Sequence, residues 1–138
     1  FGMENKTIPD SSINASSVAG PGYEPAKARL NGNGAWCGVF STDGLYVDLG
    51  KVRKISKVGI QGHPTEEKWT SKIKLHYSVD GLRWYIYEPT RDKLEHTANG
   101  DKTTVVYLLL VKARRARYVM FQPVTWQSAP CMRVEIYG

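Results

Sequence analysis

The strongest constraint in the sequence is apolar alternation with a period of two. Leu45, Val47 and Leu49 alternate with Tyr46 and Asp48 and stop at Gly50. Ile73, Leu75 and Tyr77 alternate with Lys72, Lys74 and His76 ahead of Asp80-Gly81, and Met132, Val134 and Ile136 alternate with Arg133, Glu135 and Tyr137. Successive side chains of a strand point to opposite faces, so each run buries one face and wets the other. Asp80-Gly81 predicts a tight hairpin turn returning directly into Trp84-Tyr85-Ile86-Tyr87. Residues 118–121 show no clean alternation and read as a strand covered on both faces. Helix signals are confined to one short turn over 25–30 and to helix-friendly residues 112–117, wedged between two β-type runs. Several short strands punctuated by Gly, Pro, Asn and Asp predict an all-β, antiparallel sandwich or barrel.

The chain has 138 residues, the size of one domain, and 41% hydrophobic residues, enough for one real core. The longest apolar run, residues 105–111, falls far short of the ~20 residues of a membrane-spanning helix. No signal peptide is visible at the start, and a first residue Phe1 fits a processed or excised piece. Nineteen Lys and Arg face 13 Asp and Glu, a formal charge of +6. That excess brings nucleic acid, acidic membrane surfaces and acidic glycans or proteins into view. Nucleic acid is the poor match, since the sequence has neither a reading helix nor interleaved base-stacking residues. The cations cluster twice, as Lys51, Arg53, Lys54 and Lys57, and as Lys112, Arg114, Arg115 and Arg117. Both sets fall on the barrel wall, where they read either as a heparan-sulfate or acidic-lipid contact or as a solvated basic surface.

Catalytic and metal motifs are missing. His63, His76 and His96 are scattered, there is no C-x-x-C, and residues 32–37 place Cys37 where a dinucleotide fingerprint needs its third glycine. No G-x-S-x-G or H-E-x-x-H occurs, and the carboxylates sit beside lysines or in turns. The chain therefore reads as a non-enzyme without a cofactor; calcium at a loop is compatible, but no acidic cluster locates it. Cys37 and Cys131 lie 94 positions apart and are either two buried thiols or a disulfide. A bond would close a long loop and contribute about 4–5 kcal/mol in the chain-entropy model. The sequons at Asn5 and Asn14 lean towards secretion, Asn5 more so because Asn14 falls in a predicted strand.

Motifs along nearly the whole chain carry a family resemblance. Gly2-Met3-Glu4 with Ile8-Pro9-Asp10 and residues 13–17 is followed by Ala28-Arg29-Leu30-Asn31, Gly34-Ala35-Trp36-Cys37, Val47-Asp48-Leu49-Gly50 and Gln61-Gly62. Tyr77-Ser78-Val79-Asp80-Gly81 with Trp84, Ala116-Arg117-Tyr118-Val119 and residues 131–138 complete the set. In this order they resemble the discoidin domain, the coagulation factor V/VIII type C domain. The resemblance implies an eight-stranded antiparallel jelly-roll-like barrel, here one domain over residues 1–138 of a larger extracellular protein. It implies a secreted or cell-surface recognition module and a Cys37–Cys131 disulfide. A second, framing cysteine pair of the family would lie outside these residues. Lys112-Ala113-Arg114-Arg115 departs from the Pro-rich segment usual at that place.

In that family, ligands meet loops gathered at one end of the barrel. Carried over, those loops hold Val18, Ala19 and Tyr23; Asn31, Asn33, Val39 and Phe40; and His63 and Lys68, with Trp126 and Gln127 as a neighbouring wall. Phospholipid-binding members insert apolar tips ringed by cations, for which Val18, Tyr23, Val39 and Phe40 are the candidates. Lectin members use polar loop groups and an aromatic platform, for which Tyr23, Asn31, Asn33, His63 and Gln127 could serve. Collagen-binding members use a loop Trp and an Arg, where this sequence has Ala19 and His63. The resemblance thus implies a cell-surface phospholipid or glycan as ligand, with a matrix or receptor protein as the alternative. Trp36, Trp69, Trp84 and Trp126 read as core rather than as ligand platforms.

Overall fold

Eight antiparallel strands and two single 3-10 turns make up the computed structural model, which describes residues 1–138. The strands are β1 (Ile13–Ala15), β2 (Trp36–Cys37), β3 (Leu45–Gln61), β4 (Trp69–Ser78), β5 (Tyr85–Ile86), β6 (His96–Thr97), β7 (Val106–Gln127) and β8 (Cys131–Tyr137). The three alternating runs form parts of β3, β4 and β8, as their period requires. The strands are not all short, however. The apolar run 105–111, the basic stretch 112–117 and the unpatterned 118–121 join into the 22-residue β7.

β3 and β7 lie side by side through both walls of the barrel. Leu45 to Asp48 pair with Phe121 to Tyr118, in a wall shared with β1, β4, β5 and β6. Lys57 to Ile60 pair with Leu109 to Val106, and there β3 also pairs with β8, which in turn holds β2. Between these stretches the register shifts twice, between Asp48 and Arg53 and between Ile55 and Lys57. Such irregularities bend a strand pair, and Gly50 at φ +84° takes a conformation that side-chain-bearing residues avoid. The strand pair thus turns a corner and supplies both walls.

Side chains from the two walls meet in one core of 21 buried residues. Leu45, Val47, Ile73, Val119 and Phe121 come from one wall; Val58, Ile60, Met132, Val134 and Ile136 come from the other. Burying one such side chain contributes about 1.5–3 kcal/mol. In residues 118–121, Val119 and Phe121 face this core while Tyr118 and Met120 are half-buried on the outer face, so coverage is complete on one face only. Of the tryptophans only Trp36 is fully buried; Trp69, Trp84 and Trp126 are half-buried. Cys37 and Cys131 are disulfide-bonded register partners in β2 and β8, beneath Tyr23 and Ala129.

The predicted tight turn at Asp80-Gly81 is instead a longer loop, since β4 ends at Ser78 and β5 starts at Tyr85. The reason lies in the Asp80 side chain. Its Oδ1 accepts from the Leu82 and Arg83 N–H groups at 2.9 and 3.0 Å, building a local turn that replaces the ladder. The loop ends with Trp84, whose ring stands edge-on to Tyr46 at 5.8 Å.

Candidate ligand-binding site

At one end of the barrel, one buried carboxylate builds an apolar tip. Asp43 accepts hydrogen bonds from the Val39 and Phe40 N–H groups at 3.0 and 2.6 Å, and from the Ser17 hydroxyl. Burial pushes the Asp43 carboxyl up, but the bonds from Ser17, Phe40 and Val39 outweigh it and hold the group below its ordinary range. Ser17 is fixed in turn, its carbonyl accepting from the Trp36 indole at 2.9 Å. Gly38 sits flat on that indole, where a Cβ would stand 2.8 Å from the ring. The outcome is a braced loop that presents Phe40 at 63% exposure, Val39 at 44% and, beside them, Val18 at 38%. A loop held this firmly keeps its apolar side chains in water because the backbone gives them nowhere to fold back.

Next to the tip lies a polar cluster. The Glu66 carboxylate accepts from the Tyr23 hydroxyl at 2.9 and 3.0 Å and pairs with Lys68 at 3.0 Å and His63 Nε2 at 2.9 Å. Lys68 and then Tyr23 hold its carboxyl below the usual range. His63 Nδ1 accepts the Thr65 and Glu66 N–H groups, so the proton resides on Nε2 and the ring is neutral. Burial lowers the pKa of His63, with Lys68 and Arg133 adding to it and Glu66 opposing. The Tyr23 ring meets His63 edge-on at 5.9 Å and carries the Lys68 ammonium over its face at 5.1 Å.

From this cluster a polar groove of about 830 Å³ runs along the side of the barrel, past Asn31 and Asn33 to Glu4, Lys6 and Asp10. Its shape depends on two side chains that sequence reasoning missed. Gln61 Oε1 accepts the Asn31 N–H at 2.9 Å, while Gln61 Nε2 donates to Asn31 Oδ1 and the Thr103 carbonyl. The buried Arg133 guanidinium donates to the carbonyls of Gly62, Gly32 and Lys102 at 2.7, 2.9 and 3.1 Å, tying three loops together. Alternation along β8 marks Arg133 as outward-facing, and only its distant partners explain its burial.

The structure divides the predicted loop residues. Val18, Val39 and Phe40 form the tip, with exposed Ala19 following Val18; Tyr23, Asn31, Asn33 and His63 line the groove, with Lys68 bonded to it. Trp126 and Gln127 belong to the end of β7, opposite Thr70 and Trp69, and do not line the groove. Both sequon asparagines, Asn5 and Asn14, are exposed. No three His, Cys, Asp or Glu side chains converge as metal ligands, and no helix is long and apolar enough to cross a membrane.

The two basic sets meet at the corner of β3 and β7, at the other end of the barrel, where half of them have partners. Arg53 lies over the Phe1 ring at 4.5 Å, and Lys57 sits between the Tyr107 and Tyr137 rings at 4.7 and 4.5 Å. Arg114 donates to the Tyr77 hydroxyl at 3.1 Å, and Arg117 is bidentate to Asp48 at 2.9 and 3.1 Å. Lys51, Lys54, Lys112 and Arg115 make no ion pair and no side-chain hydrogen bond.

Residues 12–136 match the F5/8 type C domain family. The chain belongs to that family. Among relatives of this discoidin-type domain are human epithelial discoidin domain-containing receptor 1, 34% identical over all of this chain and 16% of the receptor, and mouse lactadherin, 30% identical over all of this chain and 33% of that protein. Drosophila melanogaster neurexin-4 is 34% identical over 83% of this chain and 9% of its own length. The domain thus spans a third or less of each of these relatives. Its fold matches that of Dictyostelium discoideum discoidin II, with a TM-score of 0.82, 19% identity and coverage of 91% of this chain and 54% of that one. It also matches a family 32 carbohydrate-binding module of Clostridium perfringens NanJ solved with galactose, with a TM-score of 0.72, 19% identity and coverage of 95% and 97%.

Proposed function

We propose that this domain is a non-enzymatic extracellular recognition module that binds a glycan through the groove at its loop end. The observation that carries the reading is the fixed polar lining beside an aromatic ring: Tyr23, His63 and Glu66 locked together, with Asn31 held by Gln61. Sugars are bound by such prearranged donors and acceptors, which lose little freedom on binding. Fold neighbours solved with galactose and with a GalNAc-β-1,3-galactose disaccharide support the sugar class. Glycoside hydrolysis needs an acid kept protonated opposite a second carboxylate. Here Arg29 holds the Asp10 carboxyl below its usual range and Lys68 does the same to Glu66, so these two of the three groove acids are not suited to donate a proton.

The test is titration with galactose- and N-acetylgalactosamine-terminated oligosaccharides. Tyr23→Ala and Asn33→Ala are expected to weaken binding about tenfold, the loss of one or two good hydrogen bonds. Binding that survives both substitutions unchanged overturns the groove reading. The exposed Val39–Phe40 tip favours a second reading, insertion into anionic phospholipid. There Phe40→Ala should lower co-sedimentation with phosphatidylserine vesicles while leaving sugar binding intact.

A further inference from the structure

The corner of β3 and β7 brings together four cations, Lys51, Lys54, Lys112 and Arg115, that have no ion pair in the fold. Lys54 and Arg115 are direct register partners across the ladder, and both are exposed. Like charges placed opposite each other on a sheet repel. Lys51 and Lys112 extend the cluster along the same two strands, at the register shifts where the strands bend. Relief is scarce nearby. Residues 48–57 and 106–118 contain a single acid, Asp48, and Arg117 occupies both of its oxygens. The cations already stacked on rings, Arg53 and Lys57, add positive charge at fixed positions around the unpaired four. At Gly50 nothing stands within 4 Å of where a side chain would start, so the approach to Lys51 is open.

We propose that this corner is a second binding site, for a linear sulfated polysaccharide. The cations form two rows on neighbouring strands, and a chain of closely spaced sulfates can follow such rows and neutralise several of them at once. It would release its condensed counterions as it did so. Sulfate also suits the donors: it is permanently ionised, and Arg and Lys bind its oxygens through charge-assisted hydrogen bonds. The site is separate from the groove, since none of Lys51, Lys54, Lys112 and Arg115 lines it.

The experiment measures binding of the domain to a heparin octasaccharide at several salt concentrations. The wild-type domain is expected to bind, and fully desulfated heparin is not. Lys54→Glu with Arg115→Glu should cost about tenfold or more in affinity and flatten the salt dependence by about two in log–log slope, one for each cation removed. Lys72→Glu with Lys74→Glu changes the net charge equally but on β4, and should leave affinity within about twofold once long-range charge is screened. Equal losses in both double variants would reduce the effect to net charge and overturn the site. So would binding that survives desulfation. Binding of phosphatidylserine vesicles, but not heparin, through Lys54 and Arg115 would overturn it in favour of a membrane contact. Lys54→Glu alone guards against misfolding: it places a carboxylate opposite Arg115, so heparin affinity should fall while the melting temperature holds or rises.

Discussion

The two ends of this barrel use charge in opposite ways. At the loop end the charged groups hold the structure itself: Asp43 braces the tip, Glu66 gathers Tyr23, His63 and Lys68, and Arg133 ties three loops by their carbonyls. What remains for a ligand there is shape, a few fixed donors and acceptors, and an apolar tip. At the corner, backbone pairing and ring stacking do the structural work, and Lys51, Lys54, Lys112 and Arg115 stay unpaired. Removing a charge from the first end should therefore damage the fold. Removing one of the unpaired four from the second should relieve it. The net charge of +6 says nothing about this division, because it adds partnered and unpartnered groups alike.

The largest test of the contrast is the disulfide beneath the loop end. Cys37→Ser with Cys131→Ser should cost about 4–5 kcal/mol in urea unfolding, because the bond closes a long loop, while heparin affinity of the remaining folded protein stays the same. Asp43→Ala comes next, at about 3 kcal/mol. It strands the Phe40 N–H without an acceptor and leaves the Val39 N–H only the Ser17 hydroxyl at 3.2 Å. An Asp43→Ala domain as stable as the wild type would mean that the tip is not braced as described.

Acidification separates the ends more gently. His63, His76 and His96 all have pKa values lowered from 6.5, chiefly by burial, so the unfolded chain takes up protons more readily than the folded one. The stability they contribute is complete above pH 6.5 and is lost as pH falls through their lowered folded values. Thermal melts between pH 7.5 and pH 5 should show this decline. Protonating His63 Nδ1 also sets a proton against the Thr65 and Glu66 N–H groups, so groove binding should weaken over the same range. Apart from Asp48, whose carboxyl Arg117 holds below its usual range, the charged side chains of the corner are Lys and Arg, and its heparin binding should persist. A pH response shared by both sites would break the comparison. The smallest effect is Lys54→Glu, expected to stabilise the fold by about 0.5 kcal/mol by turning a repulsive cross-strand pair into an attractive one.

How much of this can be read from sequence depends on how far each residue's partners lie along the chain. The alternating parts of β3, β4 and β8 are legible because a half-buried strand imposes a period of two on its own residues. β7 is not, because it passes through a corner where its residues change surroundings, and the apolar, basic and mixed stretches look like separate elements. The Asp80-Gly81 pair reads as a tight turn until the carboxylate captures two backbone donors of its own loop. Family resemblance brings Tyr23, Asn31, Asn33 and His63 to one end of the barrel, and the groove gathers those four. It includes Trp126 and Gln127 as well, which the groove leaves out. The bonding roles of Asp43, Gln61 and Arg133 are not legible in the sequence, because a loop acid, a polar strand end and an alternating arginine all look solvated. Only partners 26 to 101 residues away show otherwise for Asp43 and Arg133.

The path of β3 and β7 also governs how the chain reaches this fold. Their paired positions are separated by 106 − 60 = 46 residues at the nearest and 121 − 45 = 76 at the furthest. Neither wall can close until that distant pairing has formed, since both walls are built on the same two strands. Chains dominated by such non-local pairings fold in about milliseconds to seconds rather than microseconds. Amides of β3 in the two walls should therefore lose protection from hydrogen exchange together, in a single opening of the whole barrel rather than wall by wall.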